Sequence, residues 1–492
     1  MYRFLDLFAG CGGMSLGFTY AGFDLRGGIE VDSTAIKTHA NNFFRHSDES
    51  TLKRHSVSQD ITKLSPEKFM KEILCETNPF GLIDVIVGGP PCQAFARIGR
   101  AKLREIMDHP EAFLTDERAS MYLHYLRYVE FFRPLAIVIE NVPDIMNYGG
   151  TNIAEGIAFS LEKIGYESRY TIMNSAHYGV PQMRQRFFLM ATRKDLEIIP
   201  EFPMCTHYVK LPQGYCNAHM VALGGIEMPT LFNSESIKHH YITPPKLDPN
   251  LPEAVSVQQA LHDIPPINVG SITKGARKFN KLAKYSDHGQ ISDYAKLMRQ
   301  WPKFESKEGI FDHVTRYLPR DYKIFRKMNP GDQYPEAYKI AEQIFEKALT
   351  EYELITGISL QKHSSQFEEL RAKFVPPYDP GKFPNKWRKM EADAPSRTLT
   401  AHIGKDTYSH IHYDSEQSRV ISVREAARLQ SFPDGFKFEG AMNAAFKQIG
   451  NAVPPLQAFA IAVKLKQLLD KAFLTKKQNH ESEKLEYIVT KS

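Results

Sequence analysis

The chain has 492 residues, 42% apolar and 24% charged, with a net charge of +5. That length holds two or three domains, and no apolar run approaches a membrane-spanning helix. Five cysteines, Cys11, Cys75, Cys92, Cys205 and Cys216, make an odd total with no C-x-x-C pair, which argues for free thiols in a reducing cytoplasm over a disulfide framework.

Met1 leads straight into a strand-like stretch, Phe4 to Phe8, with no secretory leader pattern. Ala9-Gly10-Cys11-Gly12-Gly13 then reads as a tight turn and Met14 to Ala21 as a helix. Strand, glycine turn and helix form a nucleotide-type opening. It is not the dinucleotide fingerprint, because Ser15 stands where the third glycine belongs. Leu25 to Ile29 is a second strand ending in Glu30, a carboxylate placed to accept from ribose hydroxyls. Gln59-Asp60-Ile61 offers a further acidic loop suited to an adenine amino group. Together these favour an adenosine-bearing cofactor without a pyrophosphate, such as S-adenosylmethionine.

Leu82 to Val87 reads as a buried parallel strand, stopped by Gly88-Gly89-Pro90-Pro91. The next side chain is the Cys92 thiol. In open α/β sheets, ligands bind beyond the carboxyl ends of the strands, so Cys92 sits where a nucleophile belongs. A helix is expected from about Asp116 through Met121, Tyr122, Leu126 and Val129. Leu135 to Ile139 is another buried strand, ending in Glu140. A carboxylate there must have a buried partner or a raised pKa. Glu140 and Cys92 both lie at the carboxyl ends of parallel strands in this reading, so one crevice can hold both. Downstream, Gln182, Arg184 and Arg186 share one face at period two. That face can hold a carboxylate and a base carbonyl, or be a solvated basic edge.

Composition shifts near Thr192, and Pro200-Glu201-Phe202-Pro203 reads as a linker. Residues 271–330 carry 14 Lys and Arg against 6 Asp and Glu. Lys274, Arg277, Lys278, Lys281 and Lys284 are phosphate-contact candidates there. Cys205, His207, Cys216 and His219 are potential zinc ligands, but Cys-x-His is an awkward first pair, and a plain loop without metal is the expectation. Residues 334–372 have helical periodicity. Ser422 and Glu425 form a capping-box pattern, Pro454 and Pro455 suit the start of a final helix over 456–474, and the polar tail is expected to fray.

Six motifs resemble those of the DNA (cytosine-5)-methyltransferases, in that family's order. They are Phe8-Ala9-Gly10-Cys11-Gly12-Gly13, Pro91-Cys92-Gln93, Glu140-Asn141-Val142, Gln182-x-Arg184-x-Arg186, Arg397-Thr398-Leu399-Thr400 and Gln448-Ile449-Gly450-Asn451-Ala452-Val453. The resemblance implies a Rossmann-like α/β domain using S-adenosylmethionine, with a separate, irregular target-recognition domain. The implied division is a catalytic domain over 1–195, target recognition over 196–392, the rest of the catalytic domain over 393–474 and a tail over 475–492. It implies Cys92, Glu140, Arg184 and Arg186 as catalytic residues. It implies cofactor contacts at Phe8, Cys11, Gly13, Glu30, Val31, Asp60, Ile61, Pro91, Met121, Asn451 and Ala452, and a DNA contact at Gln93. Ala96, Val31 and Ala452 depart from residues common in the family, and none of them is a catalytic group. The partner implied is double-stranded DNA, met by a cytoplasmic monomer of the bacterial restriction-modification type. A paired restriction endonuclease would act without a stable complex. An RNA cytosine-5 methyltransferase and a non-enzymatic DNA-binding scaffold are the rival readings.

Overall fold

A computed structural model describes residues 1–91, 120–147, 152–223, 240–272, 281–286, 289–405 and 408–489. The chain divides into two compact units, Met1–Ala254 with Ala452–Ser492, and Val255–Asn451.

The first unit is built on a six-stranded sheet. Its strands are β1 (Arg3–Leu7), β2 (Asp24–Ile29), β3 (Val85–Gly88), β4 (Ala136–Asn141), β5 (Tyr166–Asn174) and β6 (Gln185–Arg193). The spatial order is β2-β1-β3-β4-β6-β5. The first four strands run parallel, while β6 lies antiparallel between β4 and β5. Alternate residues enter opposite cores, as a period of two requires. Leu5, Leu7, Ile86, Ile137 and Ile139 face α3 (Ser120–Phe132) and α4 (Ile153–Lys163). Phe4, Val85, Val87, Ala136 and Val138 join Met14 and Phe18 of α1 (Gly13–Tyr20) on the other face. Residues Ala458 to Leu469 complete that layer. Between α1 and α3, α2 (Ser33–Phe43) starts at Asp32, whose side chain accepts from the Thr34 and Ala35 amides.

The second unit contains α6 (Tyr334–Thr356), α7 (Val423–Leu429) and α8 (Met442–Asn451), with shorter helices and a two-residue antiparallel pair, Ala283–Lys284 with Gly309–Ile310. Another helix of the first unit, α5, spans Gln213–Leu223. Buried arginines organise the second unit. Arg428 bonds Asp263 and Asp434, and Arg419 grips both oxygens of Glu425. Phe325, Tyr334, Trp387 and Tyr408 pack as an aromatic cluster. The expected capping box at Ser422 and Glu425 is present, as are helices within 334–372.

The breaks at 254/255 and 451/452 differ from those expected at 195/196 and 392/393. Backbone pairing is the cause. The Tyr170 amide donates to the His240 carbonyl and the Tyr170 carbonyl accepts from the Ile242 amide, which lays 240–242 along the β5 edge, and Tyr208 pairs with the 252–254 segment, so 196–254 stays with the first unit. The Val257 amide donates to Ala394, and Arg428 reaches Asp263, so 393–451 stays with the second. The expected linker is also packed. Phe202 is buried, and the Pro203 carbonyl accepts from the Tyr178 hydroxyl. The last helix, α9, runs from Pro455 to Val489, so most of the expected frayed tail is helical, as its Lys- and Glu-rich composition permits.

Candidate active site

The parallel strands present their carboxyl ends side by side. Gly88 pairs with Leu7 on one side and Ile139 on the other. Gly88 and Gly89 permit the crowding there. A Cβ on Gly88 would meet the Leu7 carbonyl at 2.3 Å, and one on Gly89 would meet Glu140 Oε2 at 3.1 Å. The chain then runs through buried Pro90 to exposed Pro91. Cys92 and Gln93 lie outside the described residues.

Glu140 ends β4 and is nearly buried, with Arg186 Nε 3.0 Å from its Oε1. Burial pushes the Glu140 carboxyl above the ordinary carboxylate range, against the pull of Arg186 and Arg184. Gln182 and Arg184 are fully buried, while Arg186 keeps slight exposure. Gln182 lies in a two-residue strand and Arg186 in β6, with Arg184 between them, and Arg186 is the one that lies against the acid. Asn141 has a role that the sequence did not suggest. Its Nδ2 donates 2.9 Å to the Pro90 carbonyl, and its Oδ1 accepts from the Val142 amide. The acid strand and the loop leading to Cys92 are thereby tied. Tyr215 of α5 donates its hydroxyl to the Met183 carbonyl, 2.9 Å away, and supports the arginine segment.

The glycine turn lies at the ends of β1 and β2. Phe8 and Gly10 have positive φ, 61° and 55°. Gly10 N donates to Glu30 Oε2 and Asp32 N to Glu30 Oε1, at 2.9 and 2.8 Å. Each carboxylate oxygen retains a second acceptor direction. The Gln59 amide donates to the Glu30 carbonyl, which brings Asp60 and Ile61 alongside. Asp60 Oδ1 accepts from the Thr62 amide and hydroxyl, which holds its carboxyl below the ordinary range. Val31 is 68% exposed, whereas Ile61 and Cys11 are buried. Burial pushes the Cys11 thiol far up, so it is neutral. Phe8 and Met121 are half-buried against the core. Gly13 meets the motif at the other end of the chain, where a Cβ would lie 2.2 Å from the Val453 carbonyl and 3.1 Å from Ala452. Asn451 ends α8 in the second unit and is exposed. Within that unit, the last two motifs touch, since a Cβ on Gly450 would meet Thr400 at 2.3 Å. Open space at Gly10, where a Cβ would meet nothing within 4 Å, an exposed apolar Val31 and two loop carboxylates suit an adenosine-bearing ligand.

Lys281 and Lys284 are exposed in the second unit, while Lys274, Arg277 and Lys278 lie outside the described residues. Cys205 faces the Tyr178 hydroxyl and the Pro245 carbonyl, Cys216 the Leu211 carbonyl, and His207 the Thr206 hydroxyl. Among the described residues, no group of three or more His, Cys, Asp or Glu is placed to hold a metal. The described residues also include no helix long and apolar enough to cross a membrane.

The model of the C-5 cytosine-specific DNA methylase family matches residues 2–467. The chain is 39% identical over 469 residues to the Oceanobacillus iheyensis protein M.OihORF3336P, covering 94% of this chain and 95% of that one. It is 28% identical over 484 residues to the type II methyltransferase M.AgeI of Thalassovita gelatinovora, covering 94% and 98%. Among solved structures, a prophage-encoded DNA modification methyltransferase of E. coli superposes with a TM-score of 0.56 at 22% identity, covering 96% of this chain and all of that one.

Proposed function

This chain belongs to the C-5 cytosine-specific DNA methylase family, and we propose that it methylates cytosine C5 in one short double-stranded DNA sequence, using S-adenosylmethionine and a covalent Cys92 adduct. The observation that carries the mechanism is the Glu140–Arg186 pair at the end of β4, tied through Asn141 to the loop that leads to Cys92.

Cytosine C5 is a poor nucleophile. Addition of the Cys92 thiolate to C6 makes C5 enamine-like. Charge then develops toward N3, where Glu140 donates a proton. Its raised pKa suits that task, because the acid form persists to higher pH than in an exposed carboxylate. Arg186, which lies against Glu140, would bind the base O2, while the field of Arg184 keeps Glu140 from becoming too weak an acid. S-adenosylmethionine supplies an electrophilic methyl group on a sulfonium. Phe8, Cys11, Gly13, Glu30, Val31, Asp60, Ile61, Pro91, Met121, Asn451 and Ala452 would hold it. Loss of the C5 proton and expulsion of the Cys92 thiolate restore aromaticity. The target atom is inaccessible in a duplex, so the base must be flipped out, at a cost of about a few kcal/mol. Residues 196–392 would recognise the target, with Lys274, Arg277, Lys278, Lys281 and Lys284 on phosphates and Gln93 beside the vacated base. A cytoplasmic monomer suffices for one cytosine, and a paired nuclease would act on the same sequence independently.

Bisulfite sequencing of DNA from cells expressing the wild type and Cys92→Ser tests this reading. Protected cytosines should occupy one repeated context, only with the wild type. Equal protection with Cys92→Ser would remove the nucleophile, and no protected context with the wild type would remove the DNA reading.

A further inference from the structure

We infer that Asp6, Ser15 and His39 form a buried relay that positions the glycine turn and makes it favour a cationic ligand over the same ligand without its charge. The inference rests on reading that turn as the S-adenosylmethionine site. Asp6 lies on β1, two residues before Phe8, and is 1% exposed. Its Oδ2 accepts from Ser15 Oγ on α1 at 2.6 Å, and Ser15 Oγ lies 3.0 Å from His39 Nε2 on α2. The elements on either side of the turn are thus joined beneath it. The His39 ring takes the space that side chains at two glycines would need. A Cβ on Gly12 would lie 3.0 Å from it, and one on Gly28 2.8 Å. Gly12 is in the turn and Gly28 in β2, so His39 touches both walls of the candidate cofactor site.

The proton count follows from the geometry. Ser15 has one hydroxyl proton. When Asp6 is ionised, Ser15 donates to it and accepts from His39 Nε2–H. His39 Nδ1 is then a bare acceptor, and it has no partner among the described residues. Burial lowers the His39 pKa to about 3, so the ring is neutral. Burial raises the Asp6 pKa to about 7 against the Ser15 bonds, and Glu30 pushes it the same way. The other groups facing this cluster are the Cys11 thiol, the Tyr125 hydroxyl and His55. Burial holds all three neutral near pH 7, with the His55 pKa lowered to about 4. Asp6 therefore changes charge in the neutral range with little competition.

An ionised Asp6 attracts the sulfonium of S-adenosylmethionine. S-adenosylhomocysteine carries a neutral thioether and lacks that attraction. Preference for the first over the second should rise as pH rises through neutrality. Calorimetric titration of both ligands at pH 6, 7 and 8 tests this on the wild type, Asp6→Asn and Ser15→Ala. The wild-type ratio of dissociation constants should shift toward S-adenosylmethionine by roughly threefold to tenfold between pH 6 and 8. Asp6→Asn should give a flat ratio. Ser15→Ala removes a bond that favours the ionised form, so its transition should move to higher pH, which keeps the test decisive if Asp6→Asn does not fold. A flat wild-type ratio with both ligands bound, or an unchanged transition in Ser15→Ala, would overturn the relay. If neither ligand binds the wild type, the cofactor reading itself fails, and the relay falls with it.

Discussion

Glu140 concentrates the proposed chemistry at the scale of a single residue. It is a carboxyl drawn out of water at a strand end, which raises its pKa, beside two guanidiniums that pull it back. Glu140→Gln should slow methyl transfer by about 10²–10⁴-fold, measured in single turnover so that binding is separated from chemistry. A wild-type rate would put the acid elsewhere. The sign of its titration gives a second test. A proton donor fails once it is deprotonated, so the rate should fall as pH rises through the Glu140 pKa. Arg184 lowers that pKa. Arg184→Met should therefore move the alkaline limb of the pH–rate profile upward, and a limb that stays in place would belong to another group. Asn141 acts one bond further out. Its amide holds the Pro90 carbonyl and so ties β4 to the residues that lead to Cys92.

Between elements, the decisive contact is that of α1 with the start of α9. Gly17 would place a Cβ 2.5 Å from Ala458 Cβ and from the Pro455 carbonyl. A glycine inside a helix costs stability by itself, and here it lets two backbones meet and brings Val453 onto Gly13. Gly17→Val should destabilise the protein by about 1–3 kcal/mol through overpacking, seen as a lower melting temperature and weaker cofactor binding together. An unchanged melting curve would show that the helices can separate at no cost. The β5 edge offers a pH-linked contact. His240 Nδ1 lies 2.5 Å from Glu155 Oε1, and Glu155 raises the histidine pKa. That pairing stabilises the fold fully below the unfolded histidine value of about 6.5, and the contribution is lost as pH rises through the raised folded value. Denaturant titrations across this range should show the decline in the wild type and its absence in His240→Asn.

Across the whole molecule, the proposed acid and its arginine partner lie in the first unit and the phosphate-contact lysines Lys281 and Lys284 in the second. DNA affinity should fall steeply with salt, and Lys281→Ala or Lys284→Ala should each lower the slope of log K against log salt by about 1. A slope unchanged by both would take this stretch off the phosphates. The buried arginines of the second unit have a different part. Arg428 is fully buried between Asp263 and Asp434. They hold an irregular unit together where long strands are few, and removing one partner of such a pair typically costs about 3–5 kcal/mol.

The sequence by itself determined the elements and motifs whose signals are local. The strands around Val85–Gly88 and Ala136–Asn141 are legible because unbroken apolar runs mark strands buried on both faces. The glycine turn, the acid near the end of β4 and the Ser422 cap are legible because each is written within a few residues. The tertiary structure alone decided which distant groups meet. Antiparallel insertion of β6 between β4 and β5 brings Arg186 to Glu140, and no local pattern states that direction. The compact units break at other positions than the expected domain limits for the same reason. Backbone bonds such as Tyr170 to His240 and Val257 to Ala394 join segments far apart in the chain, and composition carries no record of them. Asp6, Ser15 and His39 look like an ordinary strand acid, helix hydroxyl and helix histidine in one dimension. Only folding removes the water between them, and that removal couples their protons.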